Sequence, residues 1–290
     1  MDPAGGGADE TGARRARVDL GLGPGYIAGV SLQTLNEARA AVRSVAIGQD
    51  ETLDGLIVAL LSEGHVLLEG VPGVGKTLMA RALAKTLNCR FARVQFTPDL
   101  MPADVTGSTI LQRDDLVFRP GPVFTNFLLA DEINRAPAKT QAALLEAMQE
   151  RAVTADGVRH PLEGMFMVVA TQNPIEQEGT YALPEAELDR FMFMLRVDYP
   201  EDREERAIFA KDHAAASVTE LDTLQALVET DDLATLRKNA SEVSVSDQIL
   251  DYLTECTRAS RVHVSVSVGI SPRAGLAWLK AAKTEACLQG

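Results

Sequence analysis

The chain has 290 residues, of which 46% are hydrophobic and 24% are charged, and this balance excludes a chain that is disordered throughout. Its formal net charge of -13 argues against a nucleic-acid backbone as the main partner, because binding such a backbone requires a basic surface. The three cysteines are odd in number and lack metal-ligand spacing, which predicts reduced thiols in a reducing, cytoplasmic compartment.

The first 30 residues carry no periodic hydrophobic pattern. They are rich in glycine and alanine, contain Arg14, Arg15 and Arg17, and lack the apolar core of a signal peptide. We therefore predict a flexible tail over residues 1–30, with a basic docking arm as the alternative. No apolar run in the chain approaches the roughly 20 residues that a spanning helix needs, so we expect no membrane insertion.

Helical periodicity begins at residue 31. Apolar residues recur at spacings of three and four as far as Val45, which predicts a helix, and a second apolar helix is expected over about 51–61. The apolar run at 65–69 is suited to a short buried strand. A strand therefore leads directly into the glycine-rich stretch that follows.

Residues 70–77, here called the phosphate loop, read GVPGVGKT and satisfy the pattern G-x-x-x-x-G-K-[ST]. The glycines allow successive backbone amides to turn inward around an anion. Lys76 supplies a positive charge for the terminal phosphates, and the hydroxyl of Thr77 has the right offset to bind Mg²⁺. Residues 78–87 read as a helix, so strand, loop and helix follow in the order that a nucleoside triphosphate site requires.

Between the later strands the chain carries two predicted hairpins. Residues 109–112 and 116–119 flank a polar turn, and residues 152–154 and 158–160 flank an Asp-Gly pair. A strand at 90–94 and a proline-rich segment at 97–102 precede them. We expect both hairpins to project from the nucleotide-binding fold.

Two further strands end in polar side chains. The apolar run that begins at Phe127 ends in Asp131 and Glu132, and the run at 165–170 leads to Asn173. Parallel strands end at one edge of a sheet, so these side chains are expected beside the phosphate loop. The alternatives are solvated carboxylates and an asparagine that serves only as a turn residue before proline.

A last strand is predicted at 191–195, directly after Arg190, and beyond Pro200 the sequence is charged and helical without strands. We predict helices at about 201–215, 221–228, 230–240, 246–261 and 272–288. Pro272 fits the first turn of the last helix, with Ser271 as its cap. Arg273 then opposes the helix dipole unless an anion lies close by. For Arg190 and Arg273, a solvated surface cation is the alternative.

Together these segments resemble the MoxR branch of the AAA+ ATPases, over about residues 31–290. The motifs that carry the resemblance are Ile47-Gly48-Gln49, the phosphate loop, 128–132, Asn134-Arg135-Ala136-Pro137, Asn173-Pro174, Leu188-Asp189-Arg190-Phe191 and Ser271-Pro272-Arg273. The stretches at 69–73, 97–102 and 171–176 are similar to MoxR proteins specifically. The resemblance implies the α/β class, with a doubly wound parallel-sheet αβα P-loop ATPase core over 31–200 and a smaller all-α lid domain over 201–290.

The resemblance also implies roles for individual residues, with ATP and Mg²⁺ as cofactors. Glu132 would polarise the attacking water, Asn173 would be sensor 1, Arg190 the finger that reaches a neighbour's γ-phosphate, and Arg273 sensor 2. Thr77 and Asp131 would hold or orient the metal. The residues that would contact the nucleotide are Ile47, Gly48, Gln49, Gly70, Val71, Pro72, Gly73, Val74, Gly75, Lys76, Thr77, Leu78 and Asp131.

The resemblance further implies a homo-oligomeric ring, commonly hexameric, in which the hairpins face the pore or a partner. Such proteins are similar to chaperone-like remodelling ATPases that work with von Willebrand factor A domain proteins, in metal insertion or complex maturation. The alternatives are a magnesium-chelatase-like motor subunit and a nucleotide-gated scaffold with little turnover; the acidic charge disfavours a DNA motor. Family members usually continue past the sensor 2 helix, so a lid shortened at its C-terminus is expected.

Overall fold

The structure is a computed structural model that describes residues 32–113, 115–174, 180–214 and 220–290. The predicted tail at 1–30, Asp114 in the first hairpin turn, and the last two residues of the motif at 171–176 lie outside the described residues. The strands are β1 (Val66–Gly70), β2 (Phe91–Gln95), β3 (Gly107–Gln112), β4 (Asp115–Pro120), β5 (Phe127–Asp131), β6 (Ala152–Ala155), β7 (Val158–Pro161), β8 (Met167–Gln172) and β9 (Phe193–Val197). The helices are α1 (Leu32–Val45), α2 (Asp50–Leu61), α3 (Lys76–Thr86), α4 (Pro102–Thr106), α5 (Ala138–Glu150), α6 (Glu185–Leu188), α7 (Asp202–Ala214), α8 (Glu220–Thr223), α9 (Thr230–Glu242), α10 (Asp247–Val262) and α11 (Pro272–Gln289).

A five-stranded sheet in the order β2-β5-β8-β1-β9 forms the centre, and each of its strand pairs is parallel. Every residue of β5 is buried, as expected for an apolar strand covered on both faces. Alternate side chains enter different clusters: Phe127 and Leu129 pack with α1, α2 and α3, whereas Leu128 and Ala130 pack with α5. Helices therefore cover both faces of the sheet, as predicted for an αβα core.

Both predicted hairpins are present as separate antiparallel pairs, β3 with β4 and β6 with β7. Asp156 and Gly157 have φ angles of 49° and 79°, the left-handed conformation that a two-residue hairpin turn of this type requires. The rings of Phe118 on β4 and His160 on β7 stack with centroids 3.8 Å apart. This contact joins the two hairpins to each other.

The C-terminal helices pack against the core. Arg237 on α9 donates from Nη2 to the carbonyl oxygen of Leu60 over 2.6 Å, and the hydroxyls of Ser62 and Thr284 are 2.7 Å apart. Leu233 and Leu236 of α9 are buried in the same apolar cluster as α2 and α3. These contacts do not test the predicted boundary at residue 200 between the core and the lid domain, so that boundary stays a prediction.

The helix predicted over 221–228 is wrong, because α8 ends at Thr223. The backbone amides of Leu227 and Val228 instead donate to the carbonyl oxygen of Thr86 at the end of α3, over 2.8 and 3.1 Å. A tertiary contact thus replaces the helical hydrogen bonds that the local sequence favours. Within the described ranges, no helix has the length and apolarity needed to cross a membrane.

Candidate nucleotide site

The phosphate loop connects β1 to α3 at the carboxyl edge of the sheet. Gly73 and Gly75 have φ angles of 84° and 86°, a conformation that side chains other than glycine resist. A Cβ on Gly70 would lie 2.2 Å from the carbonyl oxygen of Val197, so this glycine allows close approach to β9. The sequence pattern and the backbone conformation therefore agree.

The amino group of Lys76 lies against the loop that precedes it. Its Nζ donates to the carbonyl oxygens of Gly70 and Val71 over 2.6 and 3.1 Å. Burial lowers the pKa of Lys76, while the nearby carboxylates of Asp131 and Glu132 act in the opposite direction. A phosphate entering the loop would offer this cation a charged acceptor in place of two neutral ones.

A cavity of about 420 Å³ opens beside the phosphate loop. It brings together nine of the predicted residues: Lys76, Thr77, Asp131, Glu132 and Asn173, with Pro72, Gly73, Gly75 and Leu78 beside them. Its remaining lining is Arg93, Thr171 and Gln172. The sheet order explains this convergence, because β5, β8 and β1 are neighbours whose carboxyl ends meet at one edge.

Hydrogen bonds engage both oxygens of the Asp131 carboxylate. Thr171 donates from Oγ1 to Oδ1 over 2.6 Å, and Arg93 donates to Oδ2 from Nη2 over 2.6 Å and from Nε over 3.1 Å. The Asp131 side chain is only 13% exposed, so these bonds offset the cost of burying its charge.

Glu132 stands in a left-handed conformation, with φ at 56°, where β5 ends. Its backbone amide donates to Oγ1 of Thr171 over 2.8 Å. Its Oε2 accepts from Nε2 of Gln95 over 2.6 Å and from Nη1 of Arg135 over 3.0 Å. Neighbouring side chains therefore bind both carboxylates of this edge.

Sequence reasoning gave no role to Arg93, Gln95, Thr171 or Arg135. Residues 90–94 were expected only to form a strand, and the other contacts depend on which strands become neighbours. The useful signal is alternation: Arg93 and Gln95 are two residues apart and so lie on one face of β2, beside β5 in parallel register.

Six predicted nucleotide contacts and two predicted arginines are not in the lining of this cavity. Of the six, Gly70, Val71 and Val74 belong to the phosphate loop itself. Ile47, Gly48 and Gln49 lie between α1 and α2, where a Cβ on Gly48 would be 2.6 Å from Oε2 of Glu204. Arg190 and Arg273 line a different cleft, of about 710 Å³, between the core and α11.

The two segments that carry these arginines, the turn before β9 and the start of α11, are joined by a hydrogen bond. Ser271 caps α11, as predicted, by accepting from the amide of Ala274 over 3.0 Å. Its hydroxyl also donates to Oδ1 of Asp189 over 2.6 Å. This bond links the residue before Arg190 to the residue two positions before Arg273.

The donor set of the cavity fits a magnesium ion better than a softer metal. Thr77 offers a hydroxyl and Asp131 a carboxylate, and Mg²⁺ prefers such oxygens together with phosphate and water. In the part of the chain that the structure describes, no group of three or more His, Cys, Asp or Glu side chains could hold a metal.

Comparison with known proteins agrees with this geometry. The family model for the ATPase family associated with various cellular activities (AAA) matches residues 65–193, and a model for the AAA lid domain matches residues 258–290. Chaperone MoxR1 of Mycobacterium tuberculosis is 43% identical over 99% of this chain and 79% of its own length. The chain belongs to the MoxR family of AAA+ ATPases.

Two other relatives extend this result. The uncharacterised protein YeaC of Bacillus subtilis is 46% identical over 88% of the chain and 79% of its own length. The crystal structure of a protein assigned as an ATPase from Cytophaga hutchinsonii superposes with a TM-score of 0.81, at 38% identity, over 89% of this chain and 81% of that one. This MoxR-family protein is therefore an ATPase, and the predicted αβα core with a helical lid is confirmed.

Proposed function

We propose that this MoxR-family ATPase uses ATP hydrolysis to drive chaperone-like remodelling or maturation of partner protein complexes. The observation that carries the proposal is the pair of hairpins stacked through Phe118 and His160. On the first hairpin, the paired residues Leu111 and Leu116 are 70% and 76% exposed. A relative of similar sequence is named a chaperone, which supports the same reading.

The hydrolytic roles follow from the charges around the cavity. Bound Mg²⁺ would neutralise charge on the terminal phosphates. Lys76 and Thr77 would contact phosphate and metal, Asp131 would orient the metal shell, and Asn173 would act as sensor 1. Glu132 would polarise the attacking water, and its two present partners both bind Oε2 of the carboxylate.

We further propose an adenine pocket, a cellular location and a class of partner protein. Ile47, Gly48 and Gln49 would line the adenine pocket, mainly through backbone groups. Three free cysteines agree with a reducing, cytoplasmic compartment. Partners with von Willebrand factor A domains, and the insertion of a metal cofactor, are specific forms of the remodelling proposal.

We also propose a homo-oligomeric ring, with a hexamer as the expected size, in which Arg190 reaches the γ-phosphate of a neighbouring subunit's nucleotide and Arg273 acts as sensor 2. Two observations support this arrangement. Both arginines line one cleft, and that cleft contains no residue of the phosphate loop. The bond from Ser271 to Asp189 keeps their two segments together.

Mixed rings test the role of Arg190. A Lys76→Ala subunit should lose ATP but keep its finger, whereas an Arg190→Ala subunit should bind ATP but offer no finger. Each variant alone should be inactive, and a mixture should regain part of the activity in a concentration-dependent way. If mixed rings form and remain inactive, Arg190 does not act across the interface.

Capture of partners from cell extract tests the remodelling proposal. A tagged Glu132→Gln chain should retain ATP and should capture partners with ATP but not with ADP. Adding Leu111→Ser and Leu116→Ser should abolish capture, because these changes remove the exposed apolar pair. Val264→Ser is the matched control, since Val264 is 99% exposed between α10 and α11. Equal capture with ADP, or full capture by the hairpin variant, would contradict the proposal.

A further inference from the structure

We propose that Arg93 is the resident counter-ion of Asp131 and competes with Mg²⁺ for this carboxylate. Loading of the metal then requires the ion pair between Arg93 and Asp131 to open. This inference rests on the proposed role of Asp131 in the metal shell. It makes Arg93 a positioning residue that acts through Asp131.

The contacts at Asp131 leave little room for a second cation. Two nitrogens of the Arg93 guanidinium converge on Oδ2, at 2.6 and 3.1 Å, so the lone pairs of that oxygen are engaged. The other oxygen accepts from Thr171 over 2.6 Å. A magnesium ion or its bound water needs one of these oxygens, and a guanidinium at this distance would also repel the metal.

The position of Arg93 allows it to leave. Its side chain is 48% exposed and lines the cavity, whereas the carboxylate that it contacts is 13% exposed. The mobile partner of the pair is therefore the arginine, which has water beside it. Asp131 stays fixed by Thr171 and by the central sheet.

One amide links this pair to the second carboxylate. Gln95 accepts from Nη2 of Arg93 over 2.9 Å through Oε1, and donates from Nε2 to Oε2 of Glu132 over 2.6 Å. When Arg93 leaves Asp131, Gln95 loses the donor that orients its oxygen. Opening of the ion pair therefore also weakens the hold of Gln95 on Glu132.

The experiment measures how strongly the metal promotes nucleotide binding. The affinity for a fluorescent, non-hydrolysable ATP analogue is titrated in EDTA and in excess Mg²⁺, and the ratio of the two affinities is the readout. Arg93→Gln should raise this ratio about two- to fivefold, which is the range that partly exposed ion pairs contribute. Arg93→Lys, which keeps the charge and loses the two-nitrogen contact, should give an intermediate ratio.

Two further variants make the outcome specific. Arg196→Gln removes an equal charge from β9, where Arg196 is 76% exposed beside Glu69, and it should leave the ratio unchanged. Asp131→Asn should abolish the metal dependence; if it does not, the proposed role of Asp131 fails. If Asp131→Asn behaves as expected while Arg93→Gln leaves the ratio unchanged or lowers it, the competition itself is refuted. Thermal unfolding of each variant verifies that it is folded.

Discussion

A buried histidine should make the stability of this protein depend on pH. His65 is almost fully buried directly before β1, where its Nδ1 accepts from the amide of Val168 over 3.0 Å. Its ring packs edge-on against Phe166 with centroids 5.6 Å apart. Burial is the main reason that the pKa of His65 falls from 6.5 to about 4; a hydrogen bond with the backbone of Met148 opposes this shift, and the charges of Arg151 and Arg237 add to it.

The direction of the change in stability with pH follows from the difference in proton binding between the folded and unfolded chains. Between pH 6.5 and about 4 the unfolded chain protonates this imidazole and the folded chain does not, so acid favours unfolding. Stability from the neutral ring is fully present above pH 6.5 and is lost as the pH falls through about 4. One pKa unit corresponds to about 1.4 kcal/mol, so the full loss is roughly 3 kcal/mol.

Urea unfolding between pH 7.5 and 4.5 measures this loss when the protein is compared with His65→Gln, which keeps a donor and an acceptor but cannot titrate. The free energy of unfolding should fall more steeply with acid in the unmodified protein than in the variant. His213→Gln is the control, because His213 is exposed on α7. Parallel pH profiles for the unmodified protein and His65→Gln would refute the reasoning.

Three substitutions in the nucleotide site give further expectations. Lys76→Ala should lose most affinity for a fluorescent ATP analogue with an unchanged circular dichroism spectrum, and near-normal affinity would contradict its role. Glu132→Gln should bind ATP normally and hydrolyse it at least about tenfold more slowly in single-turnover experiments, as expected for loss of a residue that assists proton transfer. Gly70→Ala should lower the free energy of unfolding by more than about 1 kcal/mol in urea titrations, because the new Cβ would strike the carbonyl oxygen of Val197; an unchanged midpoint would show that β9 can move away.

The sequence predicted the central strands well because their apolar runs and their flanking motifs are local. Two strands nevertheless lie two residues further along than predicted, with β8 at Met167–Gln172 and β9 at Phe193–Val197. Met165 and Phe166 are buried and apolar like strand residues, yet pairing with β1 begins only after them. A hydrophobic run in the sequence indicates which residues are buried, but it does not indicate where pairing with a neighbouring strand begins.

The sequence predicts those site residues that come directly after an apolar strand, because the ends of parallel strands meet at one edge of the sheet. Lys76, Thr77, Asp131, Glu132 and Asn173 were all expected at one edge, and the structure brings them together. The contacts of Arg93 and Gln95 were not predictable in this way, because they depend on β2 lying beside β5. Strand neighbours far apart in sequence leave no local signal.

Strand β9 has a mechanical consequence. It begins three residues after Arg190, and at its other end Val197 pairs with Gly70, the first residue of the phosphate loop. All five of its residues pair with β1, so the strand spans about 17 Å as one continuous, hydrogen-bonded segment. In a ring where Arg190 meets the neighbouring subunit's nucleotide, a displacement of Arg190 along the strand would be transmitted to the phosphate loop. Two successive ATP sites would then be joined by a single short strand.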